Sequence, residues 1–215
     1  VMLIFDLFAG TGSATKAFTD AGHRVIRIEL DTSFEAEERD VLSLTPEYLL
    51  AKYGQPDFIW ASPPCQTFSV ASCSTYWTPE GLPKNDKALA GLALVKHTLE
   101  LIESLSPIDG FIIENPRGML RKQSIMADLP RRTVTYCQYG DIRMKPTDLW
   151  GYARAWQPRK PCKNGDPCHE SAPRGSRTGT QGIKGAKDRA IVPEELSKEL
   201  CTFLYTLAET LPAYA

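Results

Sequence analysis

The chain has no apolar run near the ~20 residues that a membrane-spanning helix needs, so the sequence excludes a helical membrane protein. No secretory signal is expected either: Val1-Met2-Leu3-Ile4-Phe5 is apolar, but Asp6 interrupts it at once. The first residue is Val, and an initiator Met is expected to have been removed. Charge of one sign is missing too. With 25 Lys and Arg against 26 Asp and Glu, the net charge is -1, and the molecule as a whole has no pull on a polyanion. Any affinity for nucleic acid must therefore reside in a local basic patch. There is no internal repeat and no cysteine framework. Cys65, Cys73, Cys137, Cys162, Cys168 and Cys201 are scattered, which reads as reduced thiols and a cytoplasmic location.

The 215 residues that remain to be explained suffice for one well-packed domain and a small appendage. Short apolar runs alternate with helical stretches up to Thr147. Strands are predicted at 2–5, 24–28, 57–61, 111–113 and 133–136. Helices are predicted at 15–21 and 87–105, the second with Leu89, Leu92, Val95, Leu99 and Ile102 on one face. This alternation implies an α/β fold, a doubly wound and mostly parallel sheet with helices on both faces. From Asp148 to Asp188 periodicity is lost and Lys and Arg outnumber Asp and Glu eight to four. A helical stripe of Leu196, Leu200, Phe203, Leu204 and Leu207 follows Pro193. Residues 1–147 and 189–215 are accordingly expected to form the main domain, and 148–188 a short irregular insert.

Asp6-Leu7-Phe8-Ala9-Gly10-Thr11-Gly12 joins the first strand to the first helix, where glycines allow a tight turn and close backbone approach to a ligand. The third glycine of the dinucleotide pattern is absent, with Thr15 in its place, which disfavours a bound pyrophosphate and a nicotinamide cofactor. Glu29 ends the second strand, where a carboxylate takes ribose hydroxyls. Asp40, before Val41, is placed to accept from an adenine amino group, and Asp6 to hold an ammonium. A plain turn with solvated acids accounts for each of these taken singly. Ser62-Pro63-Pro64-Cys65-Gln66-Thr67-Phe68-Ser69 follows a strand directly, and a stiff Pro-Pro turn presents Cys65 at the ligand edge of the sheet. Ile113-Glu114-Asn115-Pro116 ends another strand at the same edge. A thiol and a carboxyl side by side suit nucleophilic attack with general-acid assistance.

In this order, these motifs resemble the cytosine-5 DNA methyltransferase family, and its small bacteriophage-type members in particular. The resemblance rests on Asp6 to Gly12, Glu29, Asp40, Pro64-Cys65-Gln66 and Glu114-Asn115. Tyr139-Gly140 with Arg143-x-Lys145 adds to it, as does Val192-Pro193 with Leu196. It implies methyl transfer from S-adenosylmethionine to carbon 5 of cytosine in double-stranded DNA, with base flipping and a covalent Cys65 intermediate. Glu114 would assist at ring nitrogen 3, and Arg143 or Lys145 would contact the base's carbonyl oxygen. Asp6, Phe8, Gly10, Thr11, Gly12, Glu29, Asp40, Val41 and Pro63 would hold the cofactor. DNA contacts are expected from Gln66, Ser69, Lys84 and Lys87, and from Arg174 and Arg177 in the Gly- and hydroxyl-rich run 174–182. A monomer is expected. The family's pattern is broken by Pro116 in place of Val, by Arg143-x-Lys145-x-Thr147 in place of Gln-x-Arg-x-Arg, and by Arg189-Ala190 in place of Asn. The rivals are a transfer-RNA cytosine-5 methyltransferase and a catalytically silent DNA-binding relative.

Two stretches stay open. Residues 69–87, with Tyr76, Trp77, Lys84 and Lys87, read as a lid over the base or as a mobile polar loop. Cys162, Cys168 and His169 offer three zinc ligands, with Cys137 or another residue as a fourth. Their spacing is not that of a standard finger, and a sharp turn at Gly165-Asp166-Pro167 explains the run equally well, so no metal is assigned.

Overall fold

The strands are apolar at successive positions, not only alternate ones, and a strand of that kind must be covered on both faces. In the computed structural model, which describes residues 1–154, 156–171 and 185–210, both faces are covered. Six strands, β1 (Leu3–Leu7), β2 (Arg24–Ile28), β3 (Phe58–Ala61), β4 (Gly110–Pro116), β5 (Arg131–Thr135) and β6 (Pro146–Ala153), form one sheet in the order β2-β1-β3-β4-β6-β5. The pairs β1–β2, β1–β3 and β3–β4 are parallel; β6 runs antiparallel to β4 and β5.

Alternate residues feed two cores. Phe5, Leu7, Ile59, Ala61 and Ile113 point to one face. There they meet Leu49 of α2 (Pro46–Tyr53) and Val95, Leu101, Ile102 and Leu105 of α4 (Asp86–Leu105). Ile4, Phe58, Trp60, Ile112 and Leu149 point to the other. There they meet Phe18 of α1 (Lys16–Asp20) and Leu196, Leu200 and Leu204 of α6 (Glu194–Thr210). The two remaining helices are short, α3 (Cys73–Tyr76) and α5 (Ala186–Ala190). Thr45 caps α2 by accepting from the Tyr48 N–H at 3.2 Å, and Asn85 caps α4 by accepting from Ala88 at 3.1 Å.

The sheet corrects three expectations. The buried face of α4 is turned relative to the one read from the sequence. Leu89 is exposed, whereas Leu101 and Leu105 are buried because the helix lies against the sheet at its C-terminal half. The fifth strand starts at Arg131 and stops at Thr135, leaving Tyr136 in a short 3-10 turn, Tyr136–Tyr139. The boundary expected at Thr147–Asp148 falls inside β6, which continues to Ala153 between β4 and β5. Asp148 is fully buried there, yet satisfied: Arg121 Nε donates to it at 2.9 Å and the Thr133 hydroxyl at 2.7 Å.

Candidate active site

In a sheet of this kind ligands sit beyond the carboxyl ends of the parallel strands. Those of β1, β2, β3 and β4 carry nearly all the chemistry-bearing residues.

At the end of β1 the backbone turns left-handed at Phe8 (φ 62°), Gly10 (φ 51°) and Gly12 (φ 71°). A side chain at Gly12 would collide with the Arg27 guanidinium at 2.9 Å, whereas one at Gly10 would project into open space, the room a ligand would use. Phe8 itself packs against the core and Thr11 is exposed. Glu29 sits across this turn. Its carboxylate accepts from the Gly10 N–H at 2.7 Å and the Asp31 N–H at 2.8 Å, which fixes its orientation. Asp6 is buried and accepts from the Thr15 hydroxyl at 2.6 Å. Burial pushes its carboxyl up to about 7, helped by the charge of Glu29 and opposed by Thr15 and Arg27. Asp40 accepts from the Leu42 N–H at 3.0 Å and so caps the 3-10 turn Val41–Ser43. The side chain of Val41 belongs to the core, with its carbonyl 3.1 Å from His97 Nε2.

At the adjacent ends of β3 and β4, Ala61 pairs with Ile113, so Glu114 stands one residue beyond the last rung. The Asn115 amide donates to the Pro63 carbonyl at 2.9 Å, with both residues buried, and ties the two strand exits together. The Cys65 carbonyl accepts from Phe68 N at 3.0 Å and Ser69 N at 2.9 Å, which closes the turn behind the thiol. That turn is pressed on the segment after β4: Met119 N donates to Phe68 O at 2.7 Å, and a Cβ at Gly118 would lie 2.2 Å from the same oxygen.

Cys65 is half-buried. Burial raises its thiol pKa first, the Glu114 carboxylate raises it further, and the charges of Lys145 and Arg189 pull it down. Glu114 is buried and accepts from the Tyr136 hydroxyl at 3.1 Å. The Lys145 ammonium donates to the Arg189 carbonyl at 2.8 Å and lies 4.5 Å from the centre of the Tyr136 ring. Its pKa is lowered, chiefly by burial, against the opposing pull of Glu114. Cys65, Glu114 and Lys145 thus form one electrostatically coupled group.

Arg143, which the sequence could not separate from Lys145, is engaged elsewhere. It is buried, its Nε donates to both oxygens of Asp141 at 2.8 and 2.9 Å, and its Nη1 donates to the Asp188 carbonyl at 3.2 Å.

The expected DNA contacts scatter more widely. Gln66 and Lys87 are exposed, the Ser69 hydroxyl pairs with that of Ser72 at 2.9 Å, and Lys84 donates to the Ser74 carbonyl at 2.8 Å. Arg174 and Arg177 lie outside the described residues. The stretch read as a lid is anchored at its middle: Trp77 is buried, stacks on Phe68 at 5.5 Å and donates its indole N–H to the Thr67 carbonyl at 2.7 Å. Two members of the site escaped the sequence reading. Tyr136 passed for an ordinary strand residue, and Arg189 was visible only as a departure from a motif. Neither carries a local signal, because tertiary packing alone brings them to Cys65.

A sequence profile described as C-5 cytosine-specific DNA methylase matches residues 2–129. The chain belongs to this family. The match takes in both Cys65 and Glu114. A relative from Frog virus 3 (isolate Goorha), described as a probable DNA (cytosine-5)-methyltransferase, is 34% identical over 177 residues, 78% of this chain and 78% of its own. Among solved structures, the Entamoeba histolytica methyltransferase EhMeth superposes with a TM-score of 0.50 at 11% identity, over 75% of this methylase and 57% of its own chain. The S. pombe Dnmt2 methyltransferase gives 0.49 at 14% identity, over 74% and 53%. The methylase therefore spans a little over half the length of these structural neighbours.

Proposed function

We propose that this methylase modifies carbon 5 of cytosine in duplex DNA through a covalent bond from Cys65 to carbon 6 of the base. The observation that carries the reading is the placement of Cys65, Glu114 and Lys145 at one sheet edge, where Ala61 pairs with Ile113 and Pro116 with Thr147, beside the glycine turn of β1. A base stacked in a duplex cannot reach that edge, so the target is extruded at a cost of roughly a few kcal/mol.

Carbon 5 of cytosine is a poor nucleophile. Addition of the Cys65 thiolate at carbon 6 turns the ring into an enamine, with electron density at carbon 5. Glu114, paired with ring nitrogen 3, steadies the proton that this nitrogen gains as charge develops. Tyr136 holds the Glu114 carboxyl in place. Lys145 faces the carbonyl oxygen and favours the thiolate, and Arg143 braces the turn that carries Lys145. Once carbon 5 is methylated it loses its proton, and elimination breaks the carbon–sulfur bond and frees Cys65. S-adenosylmethionine, when bound, supplies the methyl group from its sulfonium. The donor set at β1 and β2 fits it: Glu29 for the ribose hydroxyls, Asp6 for the ammonium, Asp40 for the adenine amino group, and the open side of Gly10 for close approach.

The test uses duplex DNA with 5-fluorocytosine at the target, together with S-adenosylmethionine. Fluorine cannot leave as a proton does, so the parent enzyme is expected to form a denaturation-stable adduct. Cys65→Ser is expected to form none, since a hydroxyl is a far poorer nucleophile near neutral pH. Cys73→Ser is expected to keep the adduct. An adduct that survives Cys65→Ser and disappears in Cys73→Ser would sink the assignment.

A further inference from the structure

Away from the catalytic edge, residues 157–171 follow β6 without forming a helix or strand, and none of them is buried. Such a segment has no hydrophobic core of its own, yet it is docked at several points. Arg159 N donates to the Tyr139 hydroxyl at 2.8 Å, Cys162 N to the Thr135 hydroxyl at 2.9 Å, and Glu170 N to the Ile142 carbonyl at 2.9 Å. Between these points, one ligand atom from each of Cys137, Cys162, Cys168 and His169 falls within 4.8 Å of all the others.

Three edges of this cluster match those of a coordination tetrahedron, and the Cys137–Cys162 edge is a little shorter. Cys137 Sγ lies 3.2 Å from Cys162 Sγ and 3.7 Å from Cys168 Sγ. His169 Nδ1 lies 3.7 Å from Cys162 Sγ and 3.6 Å from Cys168 Sγ. With Zn–S near 2.3 Å and Zn–N near 2.0–2.1 Å, a tetrahedral ion has ligand–ligand edges of about 3.5–3.8 Å. All of the cysteines are free thiols, so no disulfide explains the convergence. The Gln138 amide, 3.3 Å from Cys168 Sγ, adds an N–H donor of the kind that steadies a thiolate.

We infer that Cys137, Cys162, Cys168 and His169 bind one structural zinc ion, which staples residues 157–171 to the turn Tyr136–Tyr139. Three thiolates and an imidazole are a soft set that favours zinc over magnesium or calcium. Four protein ligands leave no open position, so the site is structural, not catalytic. Each thiol gives up its proton on binding, so occupancy falls with acid. The ion has a consequence for the enzyme: Cys137 directly follows Tyr136, whose hydroxyl bonds Glu114, so the staple steadies the turn that holds the Glu114 carboxyl. The sequence offered Cys162, Cys168 and His169 but left the fourth ligand open, because Cys137 lies 25 residues from Cys162.

The test uses the full chain, expressed with added zinc and purified under reducing conditions without chelator. Elemental analysis is expected to find about one zinc per chain, falling below about a fifth of that in Cys162→Ala and in His169→Ala and staying unchanged in Cys201→Ala. The cobalt-loaded parent, which needs no variant to fold, is expected to show thiolate-to-metal charge transfer and the intense visible bands of tetrahedral Co2+. A parent chain that comes through zinc supplementation without stoichiometric metal overturns the site. So does full zinc content in Cys162→Ala, a cobalt spectrum without thiolate bands, or an intact mass showing a Cys137–Cys162 disulfide.

Discussion

Burial raises the Cys65 thiol pKa most, and two neighbours of opposite sign then act on it, which makes their roles separable by titration. Glu114 raises the thiol pKa and Lys145 lowers it. In the protein without cofactor or DNA, alkylation of Cys65 by iodoacetamide should report thiolate against pH. Glu114→Gln removes a negative charge, so the midpoint should move down and alkylation near neutral pH should speed up, even as methyl transfer falls by about 10²–10⁴-fold. Lys145→Met should move the midpoint up. An unmoved midpoint in both variants would show that the three groups are not coupled. Arg143 makes a contrasting prediction. Its guanidinium is already bonded to Asp141, so Arg143→Met should mainly cost fold stability, about 3 kcal/mol or more in denaturant unfolding, as expected for a buried pair that loses one partner. The motif spacing brought both basic residues forward; only the direction of the Asp141 contact distinguishes them.

Which elements could be read in advance depended on whether their signals were local. β1, β3 and α4 announce themselves through uninterrupted apolar runs or helical periodicity, and they fall within a few residues of where the sequence puts them. β6 does not. Pro146, Asp148 and Gly151 all argue against a strand, and it forms because Arg121 and Thr133 satisfy Asp148 while Leu149 and Trp150 enter opposite cores. The catalytic edge has the same character. Cys65 and Glu114 were visible as strand-end residues, but the contact that sets their loops against each other was not. That contact is the approach of Gly118 to the Phe68 carbonyl, where a Cβ would sit 2.2 Å from a backbone oxygen. Gly118→Ala must therefore push the two loops apart, lowering stability by about 1–3 kcal/mol in chemical unfolding. It should also cut kcat while cofactor affinity, measured by calorimetry, stays as in the parent. If kcat were unchanged, the loop contact would have no part in placing Cys65.

On the scale of the whole molecule, a sheet covered on both faces collects its polar residues at the carboxyl ends of its strands, so a chain of this composition brings its acids and its thiol to one edge. No helix among the described residues is long and apolar enough to cross a membrane. The cost of this arrangement falls on the fold, and Asp6 shows it. Its carboxyl, at about 7 in the folded chain against an ordinary value of 3.8, binds its proton more tightly folded than unfolded. The contribution of Asp6 to stability is therefore greatest in acid and is lost as pH rises from the unfolded value through the folded one, by on the order of 4 kcal/mol in all. Asp6→Asn keeps an acceptor for Thr15 but carries no charge to bury. It should raise the thermal midpoint at pH 8 and leave it nearly unchanged near pH 4. If Asp6 holds the ammonium of the cofactor, the same variant should lose S-adenosylmethionine affinity at pH 8. The parent, by contrast, should bind progressively more weakly below pH 7, approaching tenfold per unit, because the carboxylate must be ionised to pair with the ammonium. A variant that binds as tightly as the parent at pH 8 would remove Asp6 from the cofactor site. Equal thermal midpoints of parent and variant at pH 8 would show that the buried charge costs the fold nothing.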